Sequence, residues 1–190
     1  MSNSDSGRPS RLPYTLALLA LGVLVLFAWT SRGRYVPVIA GAAAPHFTAQ
    51  TLEGEEVSLA DYEGKVILLN IWATWCPPCR EEMPSMQRLR ERVEEEDFEI
   101  VAVSVDAAVR GQSGWGGQIG GDVGGFIDEL GLSFDVLWDP TGEIANTYQT
   151  TGLPESFLIG RDGVVYKRLA GATAWDAEAY VEQIRRLLSS

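Results

Sequence analysis

KVILLNIWATWCPPCREEM, residues 65–83, is the stretch on which the architecture of this chain turns. Residues 65–73 are nearly continuous apolar sequence, the pattern of a central strand covered on both faces. From Pro77 onward the period changes. Met83, Met86, Leu89 and Val93 recur at helical spacing, so this part reads as a helix with one apolar side. Pro77 and Pro78 suit the first helical positions, whose N–H groups have no acceptor within the helix. Pro84 lies deeper, where it is expected to remove a backbone bond and bend the axis.

Cys76 and Cys79 therefore fall where a buried strand ends and a helix begins, and they are the chain's two cysteines. A bridge closing so short a loop adds little stability by constraining the unfolded chain, so it suits chemistry better than stapling. The first turn of a helix offers free N–H groups and a partial positive charge, which lower a thiol pKa. Cys76, at the expected exposed edge of the turn, is the candidate nucleophile. Cys79, one turn on and packed inward, is the candidate to resolve a mixed disulfide. A zinc site wants about four ligands, and the sole histidine is the distant His46, so no metal is expected. No cofactor is expected beyond a redox-active Cys76–Cys79 disulfide.

Outward from the motif, residues 98–106 repeat the buried-strand pattern, and 122–130 read as a helix with Asp122 as N-cap. A short strand at 134–138 and a short helix at 141–148 follow. Strands at 156–160 and 164–170 flank Arg161-Asp162-Gly163, where Asp-Gly between apolar runs signals a hairpin. Tyr180, Ile184 and Leu187 line one face of a closing helix. Upstream, residues 46–51 and 55–59 flank Glu53-Gly54 and read as an N-terminal β-hairpin. Together these make an α/β fold, a central mixed sheet flanked by helices. Residues 107–125, rich in glycine, read as a flexible surface loop. The alternative is a recognition loop over the active site with Trp115 as an apolar contact.

The start of the chain has a different character. Residues 16–29 are unbroken apolar sequence and, with Tyr14, Thr15 and Thr30, approach the roughly 17–25 residues of a membrane span. The expected organisation is a cytoplasmic tail at 1–13, a transmembrane anchor at 14–31, a linker at 32–43 and the catalytic domain at 44–190. A cleaved signal peptide is the rival, with small residues at 40–44 for a peptidase. Either reading exports the domain, so the expected location is the cell membrane, single-pass, with the catalytic part on the periplasmic or extracytoplasmic side. The formal net charge of −11 argues against a nucleic-acid partner.

Residues 44–86, APHFTAQTLEGEEVSLADYEGKVILLNIWATWCPPCREEMPSM, resemble the membrane-anchored thioredoxin-like oxidoreductases of the TlpA and ResA type, within the redoxin (AhpC/TSA-like) superfamily. The likeness extends to the C-terminus except for the glycine-rich segment, and residues 152–159, GLPESFLI, match the second signature. It implies a thioredoxin-like fold with a cis Pro154 beside the cysteines, and a substrate surface formed by Trp75, Leu153 and Pro154. It also implies that Glu82 assists proton transfer at Cys79. The buried Asp of thioredoxin falls at Asn70 and its Lys partner at Ala102, so both ionisable groups are absent and Glu82 is the leading acid-base candidate.

The implied activity is reduction of disulfides in exported proteins, with electrons from a membrane thiol donor and cytochrome c maturation as a candidate setting. A disulfide-forming oxidase is the first alternative; oxidases usually carry His inside the motif, where this chain has Pro77-Pro78. A copper chaperone on the same fold is the second, although CXXC spacing and an upstream histidine do not match that pattern.

Overall fold

Every position from Val66 to Trp72 is buried, because this strand lies inside a seven-stranded sheet with helices on both faces. A computed structural model describes residues 12–31, 38–94, 96–108 and 114–190. Its elements run α1 (Leu12–Ser31), β1 (Thr48–Gln50), β2 (Glu56–Ser58), β3 (Val66–Trp72), α2 (Pro77–Arg92), β4 (Phe98–Ser104), α3 (Val123–Leu130), β5 (Asp135–Trp138), α4 (Glu143–Thr147), β6 (Glu155–Ile159), β7 (Val165–Ala170) and α5 (Glu178–Leu188). The sheet order is β2-β1-β5-β4-β3-β6-β7. Strands β3, β4 and β5 are parallel, as helical crossovers require, and β6–β7 and β1–β2 are antiparallel pairs at the two edges.

Alternation along β3 divides the core. Val66, Leu68 and Trp72 face a cluster built with Met83, Met86 and Leu89 of α2, Phe126 of α3 and Ile184 of α5. Ile67, Leu69 and Ile71 face the opposite cluster, with Ile144 of α4, Tyr148 and Phe157. Asn70 shares the parity of Leu68 and Trp72, so it points toward α2 and α5 despite being polar and fully buried. That orientation supplies the site below with its floor.

The expected elements are present, shifted at their ends by one or two residues. Asp122 caps α3, accepting from Gly125 N–H at 3.0 Å. The Asp-Gly hairpin turns at Gly163, whose φ of +71° favours glycine. On α5 the fully buried face is Val181, Ile184 and Leu187; Tyr180 is half-buried and meets the Trp175 ring at 4.8 Å. Residues 38–43, expected inside the linker, lie against the domain: Val38 is buried and Ala43 bridges Val164.

The glycine-rich segment is not a loose loop where it is described. Gly121 N–H donates to Asp106 at 2.9 Å, and Gly114 N–H to the Gln118 carbonyl at 2.8 Å. Trp115 is half-buried against the second core cluster and closes over Gly142, so it packs inward instead of projecting as a contact. The helix α1 belongs to a unit separate from the one that holds the sheet. Among the described residues, no helix is long and apolar enough to cross a membrane.

Candidate active site

The parallel strand β3 delivers the chain to the edge of the sheet, where Ala73 begins the turn into α2. Cys76 is the N-cap of α2, with Pro77 and Pro78 as its first two residues. Because neither proline has an N–H, Cys79 supplies the first backbone donor of the helix, and it donates to Cys76 Sγ at 3.2 Å. The same N–H would face a Cys76 thiolate after reduction, which is how this turn favours the charged form.

The two sulfurs are joined as a disulfide, with Cα atoms 5.3 Å apart. Both residues are covered: Cys76 is 3 % exposed and Cys79 0 % exposed. Cys76 is thus less open than the expected exposed edge, because the half-buried Trp75 and Leu153 pack against the cluster that contains it. The Leu153–Pro154 peptide is cis, as the resemblance implied. The loop that carries it is held from behind. Glu155, 2 % exposed, accepts from Arg168 Nε at 2.7 Å, and the same guanidinium donates to the carbonyls of Gln149 (2.7 Å) and Val38 (3.0 Å).

Glu82 lies one helical turn beyond Cys79 and is 2 % exposed, whereas its neighbour Glu81 faces solvent. Its Oε1 accepts a hydrogen bond from the indole Nε1 of Trp175. Its Oε2 forms no hydrogen bond among the described residues. Burial pushes its pKa up from 4.5 to about 7, opposed in part by Trp175 and then by the Thr173 backbone, Asn70 and Ser156 nearby. A carboxyl poised near neutrality can hold or release a proton in the working range of a thiol reaction.

Asn70 Nδ2 donates to Ser156 Oγ at 2.8 Å on the paired strand β6, and Asn70 Oδ1 has no hydrogen-bond partner among the described residues. The position where thioredoxin-like logic places an acid is thus a neutral amide, and the ionisable group reaches the same interior from α2.

Ser85 fixes Trp175 over this carboxyl. Its hydroxyl donates to the Thr173 carbonyl at 3.0 Å and accepts from Trp175 N–H at 3.0 Å. Neither residue stood out in the sequence. A tryptophan between β7 and α5 reads as packing, and its partner is 93 residues away. Asp106 was likewise unmarked. Two residues past the end of β4 it accepts from Thr74 N–H (2.8 Å), Thr74 Oγ1 (2.6 Å) and Ser104 Oγ (2.7 Å), fixing the turn two residues before Cys76. The approach to the motif and the cis-proline loop are each held by a buried carboxylate.

Comparison with known proteins agrees with this geometry. Residues 40–168 match the model of the AhpC/TSA family. The thiol-disulfide oxidoreductase ResA of Bacillus thuringiensis subsp. konkukian is 37 % identical over 145 residues, covering 76 % of this chain and 78 % of that protein. ResA of Geobacillus thermodenitrificans is 35 % identical over 171 residues, covering 90 % and 91 %. Among solved structures, a putative thiol:disulfide interchange protein DsbE from Chlorobium tepidum is 34 % identical with a TM-score of 0.66, covering 78 % of this chain and 97 % of that one.

Proposed function

Since this chain belongs to the AhpC/TSA family and is a thiol-disulfide oxidoreductase, we propose that it reduces disulfides in exported proteins through Cys76 and Cys79. Its substrates are proteins that carry disulfides. The observation that carries the reading is the Cys76–Cys79 pair at the N-terminus of α2, with a buried, neutral-range carboxyl one turn beyond.

In the reaction the Cys76 thiolate attacks one sulfur of the client disulfide. That S–S bond breaks, a mixed disulfide forms with Cys76, and the other client sulfur leaves as a thiolate that takes a proton. Cys79 then gives up its proton and attacks Cys76 Sγ. The Cys76–Cys79 bond forms, the bond from Cys76 to the client breaks, and the second client sulfur leaves as a thiolate that takes a proton from solvent. The client gains two electrons and the pair loses two. Glu82 is the acceptor we assign to the Cys79 proton, and it returns that proton when a membrane thiol donor reduces the pair again. Trp75, Leu153 and Pro154 form the face that meets the client, where a proline without an N–H leaves neighbouring backbone free to pair with an incoming strand.

We further place the catalytic unit on the extracytoplasmic side, with the N-terminal segment as a single-pass anchor. Support comes from length and composition: α1 has 20 residues, about 30 Å of helix, against a hydrocarbon layer of about 30 Å. The side chains described in it, residues 13–27, fall short of a span on their own, but the apolar sequence continues through Ala28 and Trp29. The anchor is tested by carbonate washing of membranes, where release into the soluble fraction would remove it. Following the resemblance, apoproteins of c-type cytochromes are the first client class to try.

The central test is the potential of the Cys76–Cys79 couple, titrated in the full chain against a thiol buffer. A value near or below about −230 mV fits a reductase. A value above about −150 mV would make the protein an oxidase instead.

A further inference from the structure

Residues 114–122 run beside the active-site turn, and at Gly120 and Gly121 the backbone passes too close to its neighbours to leave room for a Cβ. A Cβ on Gly121 would stand 2.2 Å from Thr74 Oγ1, and one on Gly120 2.7 Å from the Ala107 backbone nitrogen. Gly121 N–H donates to Asp106 Oδ1 at 2.9 Å, and that same oxygen accepts from Thr74 Oγ1 at 2.6 Å. One buried carboxylate therefore clamps the segment to the residue two positions before Cys76. The glycines here set close approach, and the result is a fixed wall.

Between this wall and α3 lies a groove lined by Thr74, Trp75, Arg80, Ile119, Phe126 and Glu129, among others. Ile119 is 60 % exposed, the most open large hydrophobic side chain among the described residues of the catalytic unit. Arg80 and Glu129 are already paired at 2.8 Å, and the Arg80 guanidinium covers the Phe126 ring at 4.7 Å. Of the charged residues described in its lining, Arg80 and Glu129 offset each other and Asp122 serves as the N-cap of α3. Trp75 borders both the groove and, through the chain, Cys76. A client cysteine that reaches Cys76 Sγ must therefore carry its own flanking residues past Trp75, with the groove as one path open to them.

We propose that Ile119 is a specificity-determining residue of the exchange reaction, meeting an apolar side chain adjacent to the client's disulfide cysteine as an extended polypeptide lies in this groove. The proposal rests on the thiol-disulfide reading above and adds the chemistry of the preferred client. The Asp106 clamp makes the contact effective, because a wall held in place loses little freedom when the client binds.

The test compares three probes with the reduced full chain: a disulfide-bridged peptide with leucine beside its cysteine, the same peptide with serine there, and hydroxyethyl disulfide. The parent is expected to prefer the leucine peptide in kcat/KM. Ile119→Ser is expected to lower the leucine-peptide value about tenfold, to leave hydroxyethyl disulfide unchanged, and to be rescued by Ile119→Leu. Equal rates for the two peptides with the parent protein, or a preference that survives Ile119→Ser, would overturn the proposal while leaving exchange intact. An equal loss on all three probes would also overturn it, by showing damage to the motif. Failure of the parent on every disulfide would instead overturn the exchange reading itself.

Discussion

Trp175 donates its indole N–H to Glu82, a side chain 93 residues earlier, inside the core that also holds Cys79. The bond favours the charged carboxyl, burial disfavours it more, and the balance leaves Glu82 titrating near neutrality with a pKa of about 7.

Glu82→Gln should therefore flatten the pH dependence of exchange around neutrality and slow the step in which Cys79 loses its proton. Stopped-flow measurement of mixed-disulfide resolution between about pH 5 and pH 9 checks this. An unchanged profile would remove Glu82 from the mechanism. The same shift bears on stability. A carboxyl whose folded pKa is raised stabilises the fold at low pH, and that contribution is lost as pH rises from about 4.5 through about 7. Across this window the oxidised parent should lose on the order of 3 kcal/mol relative to Glu82→Gln, read from urea denaturation.

Trp175→Phe removes the donor and keeps most of the ring. Glu82 should then titrate at still higher pH, moving the acid limb of the rate profile upward. The lost volume and hydrogen bond should cost about 1–3 kcal/mol of stability. A profile that stays in place, with stability lowered, would assign Trp175 to packing alone.

Cys76→Ser should abolish disulfide reduction, because no thiolate remains at the N-cap of α2. Cys79→Ser should accumulate mixed disulfides with clients, visible as adducts that thiols release on a non-reducing gel. If Cys79→Ser traps nothing and retains full turnover, the order of attack is reversed.

Arg168→Met leaves the buried Glu155 carboxylate without its cation and removes the guanidinium bonds to the carbonyls of Gln149 and Val38. Breaking such a pair should cost about 3–5 kcal/mol. Adding Glu155→Gln should recover part of that loss, since the uncompensated charge disappears. Thermal unfolding of both single variants and of the double variant decides the point, and simple additivity would mean that the pair is not coupled.

The fold was legible because its signals are local. The apolar run through Val66 and the change to helical spacing after Cys79 each occupy a few consecutive residues, and the Asp162-Gly163 turn needs no distant partner. Glu82 was legible only through a family resemblance; by pattern alone it matched its exposed neighbour Glu81. In the described part of the glycine-rich segment, composition alone points the wrong way. Glycine composition signals freedom in an isolated chain, but Gly120 and Gly121 are there because Ala107 and Thr74 stand too close for a Cβ.

The sequence by itself determined the strand–turn–helix that carries Cys76 and Cys79, because strand period, helix period and proline placement act between neighbours. Only the tertiary structure decided which polar side chains became buried partners. Asn70 with Ser156, Glu82 with Trp175, Glu155 with Arg168 and Asp106 with Gly121 are joined across the sheet or between its ends. A buried carboxyl's protonation depends on desolvation and on what donates to it, and both are set by segments that meet only when the chain has folded.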